Sequence, residues 1–256
     1  MKRQTVRHLI LLISLLLFPL TLNYFSPYLI VVGASRGIIT GSFIIFSVLL
    51  LSSLFLGRFF CGWLCPAGGL QEACFGISRK PARGGRLNWL KYIIWVPWIT
   101  AIIVLGIWAG GFIQIDPLYM TESGISVDDI SKYIIYYSVV LIFFLLAVLA
   151  GRRSACHYIC WMAPFMVIGD KFGRLIHLPS LHLESRPDKC IDCKRCNQIC
   201  PMSLSVSTMA LSGQMKNSEC ILCGECIDHC PRQVLSFHFL SQRPKPIISS
   251  EKSSLE

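Results

Sequence analysis

The chain has 256 residues, 54% of them hydrophobic and only 15% charged, with a mean hydropathy of +0.58. Soluble domains carry about 25% charged residues, so an ordinary soluble enzyme is excluded and a membrane protein with a soluble portion is indicated. The net charge of +10 does not point to nucleic acid: the basic residues flank the apolar runs, where topology determinants sit, and no Lys/Arg tract with interleaved aromatics occurs.

Lys2, Arg3 and Arg7 precede an apolar run from Leu9 to about Val32. The run exceeds signal-peptide length and no small-residue cleavage site follows its first apolar stretch, so it predicts an uncleaved first span over about 9–32, despite Pro19 and Pro27. Gly33, Gly37 and Gly41 follow at a spacing suited to close helix approach or a turn. A second span over about 38–56 ends at Gly57-Arg58. Beyond it, Arg58, Arg79, Lys80, Arg83, Arg86 and Lys91 face a single acid, Glu72. A third span covers about 92–115. The next loop holds Asp116, Glu122, Asp128 and Asp129 against Lys132, and a fourth span over about 133–151 meets Arg152-Arg153. About 20 apolar residues cross a bilayer, and the positive-inside rule then places the N-terminus, residues 57–91 and everything after 152 in the cytoplasm. The predicted architecture is an all-α four-helix transmembrane domain over 1–180, multi-pass in the cytoplasmic (inner) membrane. A small, cysteine-rich α+β domain over 181–240 follows on the cytoplasmic side, and then a disordered tail over 241–256.

The membrane part repeats itself. Span two ends in Arg58-Phe-Phe-Cys61-Gly-Trp-Leu-Cys65-Pro66 and span four in Arg153-Ser-Ala-Cys156-His-Tyr-Ile-Cys160-Trp161. Both read R-x2-C-x3-C at the expected cytoplasmic surface, and membrane repeats often hold a functional site between them. Spacing of i, i+4 puts each cysteine pair on one helical face. Three readings stand for Cys61, Cys65, Cys156 and Cys160: a further metal centre, iron–sulfur among the options; a redox-active thiol/disulfide couple with Arg58 and Arg153 depressing the thiol pKa; or buried structural cysteines. Cys74 has no counterpart in the other half and reads as core. His157, between Cys156 and Cys160, reads first as a residue meeting a local hydrogen bond and second as a quinone or metal ligand. The six tryptophans, Trp63, Trp89, Trp95, Trp98, Trp108 and Trp161, read as interface anchors. Neither C-x-x-C-H nor a Gly-rich nucleotide motif is present.

The run from Cys190 to Pro231 carries C-x2-C-x2-C-x3-C-P twice: Cys190, Cys193, Cys196, Cys200-Pro201, then Cys220, Cys223, Cys226, Cys230-Pro231. This is the spacing of bacterial two-cluster ferredoxins, in which the fourth cysteine of each run serves the other cluster. Cys190, Cys193, Cys196 and Cys230 are therefore expected to hold one [4Fe-4S] cluster, and Cys220, Cys223, Cys226 and Cys200 the second. Zinc takes separated cysteine pairs rather than a triplet plus one, and a disulfide framework needs an oxidising compartment.

Paired C-x3-C motifs after the second and fourth spans, followed by a two-cluster ferredoxin, resemble the NapH/NosR-type membrane polyferredoxins over roughly residues 9–240. The strongest markers are Cys61-Gly-Trp-Leu-Cys65-Pro66 and the eight ferredoxin cysteines. The second motif departs in having Trp161 where the family has proline, and the large flavin-binding domain of the NosR branch is not in this sequence. The resemblance implies a non-catalytic electron-transfer subunit, working between a quinol pool or cytoplasmic donor and a partner redox enzyme, with quinone a candidate cofactor. A second reading, by similarity to CcoG-type assembly proteins, is an electron-donating maturation factor that reduces a metal or a disulfide. A third is a membrane anchor with structural clusters. No cysteine or histidine lies in the outer loops, so electron delivery to the outer face would need another carrier.

Overall fold

The computed structural model describes residues 2–121 and 124–241; the expected tail, apart from Ser241, lies outside them. The first apolar run is not one helix. Proline cannot donate to the preceding turn, and both prolines restart the chain. Helix α1 (Arg3–Leu16) stops before Pro19, which opens α2 (Phe18–Thr21). A 3-10 turn follows, and Pro27 opens α3 (Pro27–Ser35). The chain bends by 60° between Arg3–Leu16 and Phe18–Phe25.

Strand β1 (Ile38–Thr40) leads into α4 (Gly41–Leu56), whose first turn is capped by the Thr40 hydroxyl accepting from Phe43 N at 3.3 Å. Sixteen residues rise about 24 Å, less than the roughly 30 Å hydrocarbon core. Two short helices follow, α5 (Phe59–Trp63) and α6 (Pro66–Ala73), then α7 (Leu90–Trp108). Strand β2 (Gln114–Asp116) runs parallel to β1, pairing Ile39 with Ile115, so the starts of α4 and the end of α7 are stitched together. The second half repeats the order with α8 (Ile130–Leu149), α9 (Ser154–Tyr158) and α10 (Met162–Leu175). Among the described residues two helical segments, 85–108 and Ile130–Leu149, are long and apolar enough to cross a membrane, or three if the bent N-terminal pair counts as one. Their outer faces expose Ile93, Ile103, Ile107, Ile134, Leu141 and Leu149. Apolar area costs about 25 cal/mol per Å² in water, so these faces belong in lipid: this is a membrane domain.

Inside it, Ile30, Ala34, Phe46, Leu49, Ile102 and Met162 form a core. Phe165 packs edge-on to Phe46, Trp95 and Trp98. Three of the tryptophans expected as interface anchors instead donate inward: Trp98 to Pro27 O, Trp161 to Phe25 O and Trp63 to Leu222 O, at 3.1, 3.2 and 3.1 Å. A buried indole needs a partner for its N–H, and the broken N-terminal run supplies carbonyls for two of them. Helix α10 lies against α4 through Gly169 and Gly173, where a Cβ would overlap Leu50 O and Leu54 O respectively. Small residues four apart let backbones meet.

Helix α10 runs almost directly into the ferredoxin domain. Strand β3 (Pro179–Ser185) pairs antiparallel with β4 (Leu235–Ser241), Leu183 opposite Phe237. Between them lie three short helices, α11 (Arg195–Ile199), α12 (Val206–Leu211) and α13 (Glu225–Asp228).

Candidate metal centres

The two ferredoxin loops adopt one backbone twice. Asp192, Lys194 and Ser203 in the first have φ of 48°, 56° and 52°; Leu222, Gly224 and Gln233 at the matching positions of the second have 52°, 80° and 49°. Left-handed residues are rare outside glycine, and three at matching positions mean that the loop dictates them. Alternating hand turns successive N–H groups toward one concavity, an arrangement that receives anions. The turns close alike, with Ser203 N on Cys200 O and Gln233 N on Cys230 O at 3.1 and 3.2 Å.

Cys230 lines one cavity with Cys190, Cys193 and Cys196, among Ala210, Val234 and Leu235. Cys200 lines another with Cys220, Cys223 and Cys226, among Met202, Met209 and Ile221. The first is the outer one, since Cys193 is exposed, whereas Cys200, Cys223 and Cys226 are buried. Burial pushes the Cys220 thiol up to about 11 and raises Cys200, Cys223 and Cys226 as well, so binding a metal at this inner set releases protons. Among the described residues no three His, Cys, Asp or Glu converge on a single-ion position. A cubane needs a wider cage, because each thiolate binds a different iron, and four thiols around an apolar cavity lined by such loops fit that group.

The inner loop docks on the membrane unit. A Cβ on Gly62 would overlap Ile221 O, so the backbones of the 61–65 motif and the Cys220–Cys223 turn touch. Glu219 holds Arg58 at 2.7 Å and Lys91 at 2.5 Å, all three buried. Burial raises the Glu219 carboxyl, but Arg58 and Lys91 outweigh it and hold it at about 2. Arg7 joins Glu72 at 2.9 Å to Glu225 at 2.8 Å, and Arg3 joins Asp228 at 2.6 Å. Gly62→Ala is expected to push the ferredoxin domain off this seat and to slow electron passage between soluble and membrane parts at least tenfold, with cluster content unchanged; flash-reduction kinetics would show it. An unaltered rate would mean that the contact carries no electrons.

The membrane cysteines sit in matching turns. Leu64 N and Cys65 N both bond Phe60 O, and Ile159 N and Cys160 N both bond Ala155 O. Each half grips the other. Arg153, fully buried, donates to Cys61 O at 2.6 Å and to Glu72 Oε1 from Nε and Nη2 at 3.0 and 2.6 Å. Gln71, equally buried, donates to Cys156 Sγ at 3.3 Å and accepts from Ala155 N at 3.0 Å. Cys61, Cys65, Cys156 and Cys160 thus line one cavity of about 370 Å³, walled by Phe18, Phe25, Leu29, Val139 and Phe143. Burial drives the Cys65 thiol well up and Cys160 up to about 12. Cys61 is also raised by burial, although Arg58 and Arg153 pull the other way. At Cys61 desolvation outweighs the pull of the two arginines, and a thiol held up by burial is a weaker nucleophile. The donor set, four thiols, suits iron–sulfur ligation.

His157 turns away from the thiols, with Nδ1 2.9 Å from Asn88 Oδ1 and Nε2 3.2 Å from Met202 O. Burial pushes it down to about 4, and it joins the 85–89 turn to the ferredoxin domain. Cys74 donates to Leu70 O at 3.2 Å inside the fold. Sequence reasoning missed Arg7, Gln71, Glu72, Glu219 and Glu225 as organisers of the site. The one available signal was Glu72, alone among six basic residues.

A family model described as a 4Fe-4S binding domain matches twice, at residues 38–83 and 134–179, once for each half with its cysteine pair. A second, a 4Fe-4S dicluster domain, matches residues 182–231. An uncharacterized protein of Methanocaldococcus jannaschii is 28% identical over 75% of this chain and 76% of its own length. The ferredoxin-type protein NapH of Haemophilus influenzae is 24% identical over 74% of this chain and 65% of its own. The regulatory protein NosR of Pseudomonas aeruginosa is 27% identical over 74% of this chain but only 27% of its own, much longer, sequence. No solved structure matches the chain. With the halves and the dicluster domain matched to 4Fe-4S models, and relatives of both branches aligned along most of its length, the chain belongs to the NapH/NosR-type membrane polyferredoxins, [4Fe-4S] proteins of electron transfer.

Proposed function

We propose that this protein is a fixed electron wire with three stations: the outer cysteine set Cys190, Cys193, Cys196 and Cys230, the inner set Cys220, Cys223, Cys226 and Cys200, and a third at Cys61, Cys65, Cys156 and Cys160. Iron–sulfur clusters supply one-electron carriers when bound. The side chains hold them, exclude water and fix their order. The observation that carries this reading is the common cavity of four thiols from both halves, two of which, Cys61 and Cys156, share one buried core with Cys200, Cys223 and Cys226.

The reading takes residues 1–180 as a membrane domain crossing four times: the bent N-terminal run, α4, α7 and α8. It takes 181–240 as a cytoplasmic ferredoxin domain. The basic 57–91 segment and Arg152-Arg153 support that sidedness. The apolar walls of the four-thiol cavity suit an apolar redox carrier such as a quinol. In this role the protein passes electrons between the quinol pool, or a cytoplasmic donor, and a partner redox enzyme.

Anaerobic iron and acid-labile sulfide content, with EPR, tests the third station. Wild type is expected to hold about twelve irons, and the variant with Cys61, Cys65, Cys156 and Cys160 all replaced by serine about eight, at four per cubane. Eight in both would refute the third station and leave these cysteines structural.

A further inference from the structure

Arg58 and Arg153 occupy matching places in the two halves but are not equivalently satisfied. Arg153 spends Nε, Nη1 and Nη2 on Glu72 and Cys61 O. Arg58, 2% exposed, spends only Nη1, on Ser218 O at 3.1 Å and Glu219 Oε2 at 2.7 Å. Its Nε and Nη2 are buried without a hydrogen-bond partner. Leaving a buried charged donor unpaired costs more than leaving a neutral one, and such a group in a native structure calls for an explanation, a redox role or an absent ion among them. Arg58 lines the same cavity as the four membrane thiols, and its guanidinium lies against Cys61.

We infer that the two open N–H groups of Arg58 are donors for the sulfur atoms of the centre held by Cys61, Cys65, Cys156 and Cys160, so that Arg58 is a positioning residue that sets this centre's reduction potential. The inference rests on the third station proposed above. Four thiolates and their cluster carry net negative charge, and one-electron reduction adds another. A buried guanidinium that donates to sulfur favours the more negative state, and hydrogen bonds to sulfur are among the levers that set such potentials. Glu219 anchors the far end of Arg58 and is in turn held by Lys91 at 2.5 Å. The open edge of the fork therefore stays turned to the cavity. Because Glu219 precedes Cys220, the same guanidinium ties the inner ferredoxin loop to the membrane centre.

The test is a dithionite-poised EPR titration of the full-length, detergent-solubilised protein. Arg58→Gln is expected to lower the midpoint of the membrane-centre signal by the equivalent of tenfold or more in equilibrium constant, 59 mV for one electron. Arg58→Lys keeps the charge but loses the fork and is expected to fall between. The outermost centre, at Cys190, Cys193, Cys196 and Cys230, is expected to stay put. Where a variant does not assemble, wild type labelled with 15N-arginine decides: pulsed EPR is expected to show nitrogen coupled to the membrane centre. An unshifted midpoint in Arg58→Gln, or no arginine coupling in wild type, overturns the inference while the third station stands. Absence of any signal sensitive to the four-serine variant overturns the third station, and the inference with it.

Discussion

Cys230→Ser is expected to remove about four irons and the EPR signal of the outer cluster, the one served by Cys190, Cys193 and Cys196, while the cluster of its own triplet survives. The reason is geometric. Cys230 follows Cys226 by four residues, yet it lines the cavity of the other triplet, because the α13 turn carries the chain across the domain before Pro231 releases it. Cys200→Ser is expected to do the reverse and damage the buried inner cluster. The two variants should differ in severity. The inner loop seats the ferredoxin domain on the membrane unit through Glu219 and Ile221 O, so Cys200→Ser is expected to lower expression of folded protein as well. Loss of the inner signal in Cys230→Ser would sink the crosswise arrangement.

Glu72→Gln is expected to destabilise the protein by about 3–5 kcal/mol, the usual consequence of stripping a buried ion pair of one partner. Here a single carboxylate serves two fully buried guanidiniums. Oε1 accepts from Arg7 Nη1 at 3.0 Å and from Arg153 Nη2 at 2.6 Å, and Oε2 lies 2.9 Å from Arg7 Nη2. Once the Glu72 charge is lost, Arg7 keeps Glu225 but Arg153 keeps only neutral acceptors, Cys61 O and the amide oxygen. Burial alone would raise the Glu72 carboxyl, but Arg153 beside it, with His8 and Arg7, holds it far below its ordinary 4.5. A depressed carboxyl contributes stability that is complete above the unfolded-state value, about 4.5, and is lost as pH falls toward the folded one. Thermal unfolding of the solubilised protein at pH 7 and pH 4 is the check: wild type should lose stability between them, and Glu72→Gln should start lower and change less. Equal melting temperatures at pH 7 would show that the pair contributes nothing.

What the sequence made legible follows its chemistry. The eight ferredoxin cysteines and the duplicated R-x2-C-x3-C motif could be read because ligand spacing is local, fixed by loops of a few residues. The convergence of the four membrane cysteines was open, because it depends on cross-half contacts such as Gln71 to Cys156 and Arg153 to Cys61 O, which no local pattern encodes. The break in the first apolar run was written in Pro19 and Pro27, but hydropathy averages over such punctuation and reads one span. Trp63, Trp98 and Trp161 misled for a related reason. A tryptophan at a span end looks the same in sequence whether its N–H meets a headgroup or the carbonyl of an unwound neighbour. The Gly169 and Gly173 pair could have been found from its spacing, as Gly33, Gly37 and Gly41 were.

Only residues 176–178 separate the end of α10 from β3, and α10 is itself locked to α4 by its glycines. The ferredoxin domain therefore has no leash. A carrier on a long linker works by search, and its turnover depends on solvent viscosity and on the effective concentration the linker allows. Here the turn that carries the inner thiols rests on the membrane thiol motif, Gly62 against Ile221 O. In the proposed wire, transit between them would be governed by tunnelling distance and potential difference, and diffusion would enter only where an outside partner meets the outer cysteine loop.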